Sequence, residues 1–229
     1  MNLKAVTITA ALMLFSAAAQ AQGVLYMVAD EGDDALYTVD TTTGLATKIG
    51  SAGSQRGNAE GLAPGSTPGV LFSVNNSDDL DLVNADGSGF VKVGSDIAPE
   101  NCDRGLAYNS VTGILYGSDN RNFCSIDTTT AVSTRLADPL ASDTEGLAAD
   151  TANNYIYGID SDENLVRYDV GADSWTTVGP TTNISSGNDI GLAYDPDLQT
   201  LYAVDNAGIL YSVNAATGLA TEIGDTGVG

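Results

Sequence analysis

Beyond residue 22 the chain is written in short runs in which apolar and polar residues alternate, each stopped by Gly, Asn, Asp, Pro or a Thr-Gly pair. Alternation with period two, broken by turn residues at intervals of about 8–12 positions, predicts β-strands. No sustained 3.6-residue period follows the first 21 residues, so helices are not expected. The runs recur in a fixed order. A Gly-Leu-Ala run, here strand A, begins at Gly61, Gly105, Gly146 and Gly191. An aliphatic–aromatic run, strand B, holds Leu25-Tyr26, Leu71-Phe72, Leu115-Tyr116, Ile156-Tyr157 and Leu201-Tyr202. Strand C follows, as in Leu36-Tyr37-Thr38-Val39, and then strand D, as in Ala46-Thr47-Lys48-Ile49. Four antiparallel strands in each unit of roughly 44 residues is the arithmetic of a β-propeller blade.

The predicted fold is therefore all-β, a propeller of about five four-stranded blades with repeats near 23–50, 51–94, 95–137, 138–179 and 180–224. The small residues of strand A suit the crowded axis, and the tyrosines and Trp175 are expected to pack between strands. Only four strands A are present for five strands B, C and D, nineteen strands in all. The inner strand of the first blade is thus expected from the C-terminal end, and with five residues after Gly224 either closure of the ring is imperfect or the chain is a shortened form of a longer protein.

The fullest repeats, Ala35 to Gly50 and, with Asn214 at the D position, Ile209 to Gly224, follow the pattern L-Y-x-V-D-x-x-T-G-x-x-T-x-I-G. This pattern resembles that of secreted bacterial β-propeller repeat proteins, a resemblance that implies the architecture and no particular activity.

The first residues carry a different signal. Lys4, an apolar run from Ala5 to Ala18 and the exit Ala19-Gln20-Ala21 predict a secretory signal peptide over 1–21, with the propeller domain over 22–229. The run is shorter than the roughly 20 residues that span a bilayer, so membrane insertion is not expected. The mature protein is expected to be exported, to the periplasm or the medium. In an oxidising compartment, Cys102 and Cys124 are expected to form a disulfide rather than stay free thiols.

Composition narrows the chemistry. Thirty acids against eight bases give a net charge of −22, which repels nucleic acid, and the chain has no histidine. Imidazole catalysis and histidine-ligated metals are excluded. No organic cofactor is indicated. In an antiparallel blade the B–C turns and D–A connections share one face and the A–B and C–D turns the other. Well over half of the 30 acids fall on the first face, offset there by Arg56, Arg104 and Arg121.

These acids either keep an exported protein soluble or bind calcium, a hard cation that takes six to eight oxygens. Asp30 and Asp33 in one turn, and Asp160 and Asp162 in another, are candidate ligands. A second set, Glu60, Asp103, Glu145 and Asp189, precedes the four strands A at the expected channel mouth. There the carboxylates either surround a cation or hydrogen-bond the backbone of adjacent blades. The pairs Glu60-Gly61 and Glu145-Gly146 are similar to the Glu-Gly of gluconolactonase-type propellers, which implies a metal site there. The expected function is a non-catalytic binding or scaffold module for a protein or carbohydrate. The alternative is a metal-dependent hydrolase, lactonase- or phosphoesterase-like, at the channel mouth.

Overall fold

The structure, a computed structural model, describes residues 11–15, 23–29, 35–50, 59–136, 142–184 and 190–228. Of residues 11–15 and Glu145 it describes the main chain. These segments form five four-stranded antiparallel sheets. The first holds β1 (Ala11–Phe15), β2 (Val24–Val28), β3 (Leu36–Val39) and β4 (Ala46–Ile49). The second holds β5 (Ala59–Pro64), β6 (Val70–Asn75), β7 (Leu80–Asn84) and β8 (Phe90–Gly94). The third holds β9 (Gly105–Asn109), β10 (Ile114–Asp119), β11 (Asn122–Ile126) and β12 (Ser133–Arg135). The fourth holds β13 (Thr144–Asp150), β14 (Tyr155–Asp160), β15 (Asn164–Asp169) and β16 (Ser174–Pro180). The fifth holds β17 (Gly191–Asp195), β18 (Thr200–Val204), β19 (Ile209–Asn214) and β20 (Ala220–Asp225).

The first strand of each sheet is innermost. β1, β5, β9, β13 and β17 each touch the next around the axis, and β17 touches β1. The ring is a five-bladed β-propeller. Close approach of the inner strands explains the glycine that opens strand A. A Cβ on Gly61 would lie 2.6 Å from the carbonyl oxygen of Arg104 in the next blade, inside van der Waals contact.

The apolar alternation fills the spaces between blades. One core joins Val28 and Leu36 of the first blade to Leu62, Leu71 and Val83 of the second. Another joins Phe72, Val74 and Leu80 to Leu106, Leu115 and Ile126. Between the third and fourth blades, Phe123 meets Tyr168 and Trp175 edge-on, with centroids 4.8 and 4.9 Å apart. The tyrosines and Trp175 pack as the sequence suggests. Cys102, in the connection before β9, is bonded to Cys124 on β11 and ties that connection to its own blade.

Closure differs from the expectation. The C-terminal residues complete the fifth blade as β20 and continue to Thr226, whose carbonyl accepts the Ala46 N–H at 3.0 Å. Gly44, at φ +85°, packs where a Cβ would lie 2.6 Å from the Gly224 oxygen. The last blade therefore seals against the outer strands of the first. The inner strand of that blade comes from the other end of the chain, as β1, paired antiparallel with β2. The inner edge of β2 needs main-chain partners, and Ala11–Phe15 supplies them in extended form.

Candidate functional site

Antiparallel order through every blade puts the B–C turns and D–A connections on one rim. Several acids at the strand ends on both rims are turn caps. At the end of strand B, the Oδ1 of Asp205 accepts the N–H groups of Ala207 and Ile209, each at 3.0 Å. Its Oδ2 accepts the Tyr211 hydroxyl at 3.1 Å. Asp160 accepts from Asp162 and Asn164 in the same manner, and Asn75 from Ser77 and Asp79. At the end of strand C, the Oδ1 of Asp127 accepts from the Thr129 N–H, the Thr129 hydroxyl and the Thr130 N–H. Asp40 repeats that set with Thr42 and Thr43. A short acceptor directly after a strand satisfies amides that the turn leaves unpaired. The hydroxyl and amide donors hold Asp127 down at about 2 and push Asp40 below the usual carboxylate range.

The residues singled out in the sequence separate into distinct groups. Asp160 is buried and committed to its turn, while Asp162 beside it is exposed. Glu60 is half-buried on β5, and Glu145 lies on β13. Both fall where the pairing of the inner strand with strand B slips by one residue, between Ala59 and Gly61 and between Thr144 and Gly146. The Glu-Gly pair is thus the signature of a β-bulge, a device that re-aims a side chain and bends the strand. Asp30, Asp33 and Asp189 lie outside the described residues, as does the side chain of Glu145. Among the described residues, no three acidic or thiol side chains converge in a group fit to hold a metal ion.

Asp103 has company that the sequence did not announce. It is 6% exposed, and it is hydrogen-bonded to Asp78 from the B–C turn of the second blade. Burial, that hydrogen bond and the charges of Asp119 and Asp78 push its carboxyl up to about 7. Arg104 faces the group, its Nε 3.2 Å from the Oδ1 of Asp119. Nearby, Lys92 lies 2.9 Å from Asp79, which also accepts the Asp96 N–H. Asp103 and Asp78 thus form a buried carboxyl contact that joins a D–A connection to a B–C turn.

Two cavities lie on the opposite side. An axial one of about 390 Å³ is lined by Leu62, Leu106, Leu147, Leu192 and Tyr108, with Ser66, Thr67, Ser110 and Thr151 from the A–B turns. It therefore opens away from Glu60 and Asp103. A groove of about 650 Å³ between the fourth and fifth blades holds Asp150, Tyr157, Arg167 and Tyr194. Tyr157 and Tyr194 stack at 6.0 Å, and the Arg167 guanidinium carbon lies 4.3 Å from the Tyr155 ring centre. Burial and the neighbouring Asp150 raise the Tyr194 phenol well above its ordinary value.

No protein-family model matches the chain, and no curated protein matches its sequence. Solved structures do resemble it. A chain in the crystal structure of the nidogen/laminin complex is 16% identical with a TM-score of 0.61, over 95% of this chain and 79% of that one. An auxiliary nutrient binding protein from Bacteroides thetaiotaomicron VPI-5482 is 15% identical with a TM-score of 0.58, over 94% and 57%. A structural genomics protein of unknown function from the same organism is 15% identical with a TM-score of 0.54, over 87% and 55%. The chain spans little more than half the length of the two Bacteroides proteins. At such identities the likeness shows the fold, a β-propeller.

Proposed function

We propose that this chain is an exported, non-catalytic binding propeller whose rim of B–C turns and D–A connections engages a basic surface of a protein partner. What supports the reading is the antiparallel order of every blade, which sets the acids of the B–C turns and D–A connections on one rim. Asp78, Asp96, Glu100, Asp103, Asp162 and Glu163 share one rim, and Asp96, Asp162 and Glu163 are exposed there. Charge gathered on one side steers an oppositely charged partner and favours one docking face. Propellers among its structural neighbours include a chain of the nidogen/laminin complex and a nutrient binding protein, which agrees with a binding role. The test is surface plasmon resonance against a Lys/Arg-rich peptide and a neutral oligosaccharide. The peptide is expected to bind, more weakly as salt rises, and the sugar not to bind. Binding of the sugar alone, or none of either, contradicts the reading. Calcium is the small cation proposed for this rim, and a calorimetric titration with calcium chloride that yields no heat removes it.

One observation favours a second reading, a metal-dependent hydrolase acting on the same rim. The Asp103 carboxyl, at about 7, is poised for general acid–base work. A screen of lactones and phosphoesters with the wild type, Asp103→Asn, Glu60→Gln and Glu145→Gln decides it. Turnover in the wild type that is lost in any of these variants supports the hydrolase. Turnover that is absent, or unchanged by all three substitutions, rules it out.

A further inference from the structure

The pairing of β1 with β2 has the register of a genuine strand A. Ala11 faces Val28 and Phe15 faces Val24, as Gly191 faces Val204 and Asp195 faces Thr200 in the fifth blade. Leu12 accordingly stands where Leu62, Leu106, Leu147 and Leu192 stand in the other blades. The fifth position differs. Asn109 and Asp195 end their strands there and cap the A–B turn. The Oδ1 of Asn109 accepts from Val111 at 3.0 Å, and that of Asp195 from Asp197 at 2.9 Å. Asp150 ends β13 in the same role, accepting the Asn153 N–H at 3.2 Å. Phe15 carries no acceptor. β1 therefore meets the main-chain demand of this place without the cap that the third, fourth and fifth blades carry there.

The walls of the place are built from other strands. Leu25, Met27 and Val39 pack on Ala193, Tyr202, Val204 and Leu210, joining the first blade to the fifth. The Ala46–Thr226 hydrogen bond adds to that seam. On the other side, Val28 and Leu36 pack on Leu62 and Leu71. β1 itself lies inside the apolar run that, on the export reading, is a leader cleaved after Ala21. Removal of that leader bares the inner edge of β2 between β5 and β17. A row of unpaired amides and carbonyls held in an apolar slot is a template for strand addition.

We propose that the innermost place of the first blade is a strand-acceptor site, which exchanges β1 for an extended Gly-Leu-Ala-x-Asp segment of a partner chain. This rests on the export reading for its biological setting, and the exchange itself can be tested without export. A protease site is inserted between residues 18 and 21 of the full chain, and the folded protein is cut. Native mass spectrometry is then expected to show the released leader still bound. A peptide containing Gly-Leu-Ala-Tyr-Asp, with solubilising lysine tails, is expected to displace it at about tenfold lower concentration than one containing Ala-Leu-Met-Leu-Phe. That ratio corresponds to one capped turn. Hydrogen exchange is expected to protect the β2 amides that face the β1 place whenever a strand is bound and to release them when none is, while those that face β3 stay protected throughout. Unfolding on cleavage that the Gly-Leu-Ala-Tyr-Asp peptide reverses also supports the site. Failure to take up either peptide, equal potency of the two, or protection of the β1-facing amides of β2 with no strand bound overturns it. The mass of the exported protein separately reports cleavage after Ala21, so an uncut leader defeats the export reading and leaves the exchange result standing.

Discussion

Asp103 and Asp78, from a D–A connection and a B–C turn, meet on one rim through a side-chain hydrogen bond, with Asp119 and Arg104 facing them. The Asp103 carboxyl is held at about 7, above its unfolded value near 4. Between those two values the folded state binds the proton that the unfolded state releases, so this group's contribution falls as pH rises from about 4 to about 7. The exposed caps act with the opposite sign. Asp127, held at about 2, contributes stability that is present above about 4 and is lost as pH falls toward about 2. Denaturant midpoints measured from pH 3 to 8 are expected to decline on the alkaline side in the wild type. Asp103→Asn is expected to flatten that decline and leave the acid limb unchanged. An unchanged alkaline decline in Asp103→Asn contradicts the pairing.

The cap at Asp205 makes a sharper stability prediction. Its carboxylate serves two amides and the Tyr211 hydroxyl and is 1% exposed. Asp205→Ala leaves those donors unmet and is expected to cost about 3 kcal/mol. Asp205→Asn keeps an acceptor for the turn and is expected to cost about 1 kcal/mol. Urea unfolding of the two variants checks the order, and equal losses contradict the capping role.

Breaking the covalent tie between Cys102 and Cys124 frees a loop with a sequence separation of 22 residues. The double change Cys102→Ser, Cys124→Ser is expected to cost about 3 kcal/mol. For a chain of this length that is a fall of roughly 6–12 °C in Tm. Free-thiol titration of the denatured wild type is expected to find no reactive cysteine.

Crowding at the axis is tested at Gly61. A Cβ there meets the Arg104 carbonyl at 2.6 Å, so Gly61→Ala forces the inner strands apart and is expected to cost about 2 kcal/mol. At Gly113, where a Cβ meets nothing within 4 Å but φ is +72°, Gly113→Ala is expected to cost only the backbone strain, about 1 kcal/mol.

The architecture was legible because each blade repeats the same demands. Gly61, Gly105, Gly146 and Gly191 recur on the inner strands, and pairs such as Leu201-Tyr202 fill the space between blades. The chemistry of the acids was not, because a turn cap and a cation ligand call for the same residue in the same place. Asp160 reads equally well as either, and geometry makes it a cap. The meeting of Asp78 with Asp103 depends on a left-handed turn residue, Asp78 at φ 58°, and on the path of a D–A connection. Neither leaves a pattern in the sequence. β1 was hidden for another reason. Ala11 to Phe15 lies in an apolar run outside the repeats, and main-chain pairing to β2 needs no motif.

Charge reversal on the two rims bears most directly on the binding role. Asp96→Lys, Asp162→Lys and Glu163→Lys change one rim, and Asp86→Lys, Asp173→Lys and Asp197→Lys change the other by the same total charge. With both triple variants shown to be folded by circular dichroism, Kd for the Lys/Arg-rich peptide is measured by surface plasmon resonance. The first variant is expected to bind at least about tenfold more weakly than the wild type, and the second within about threefold of it. Equal weakening by both, or a larger loss from the second, contradicts a binding face on the rim of Asp103.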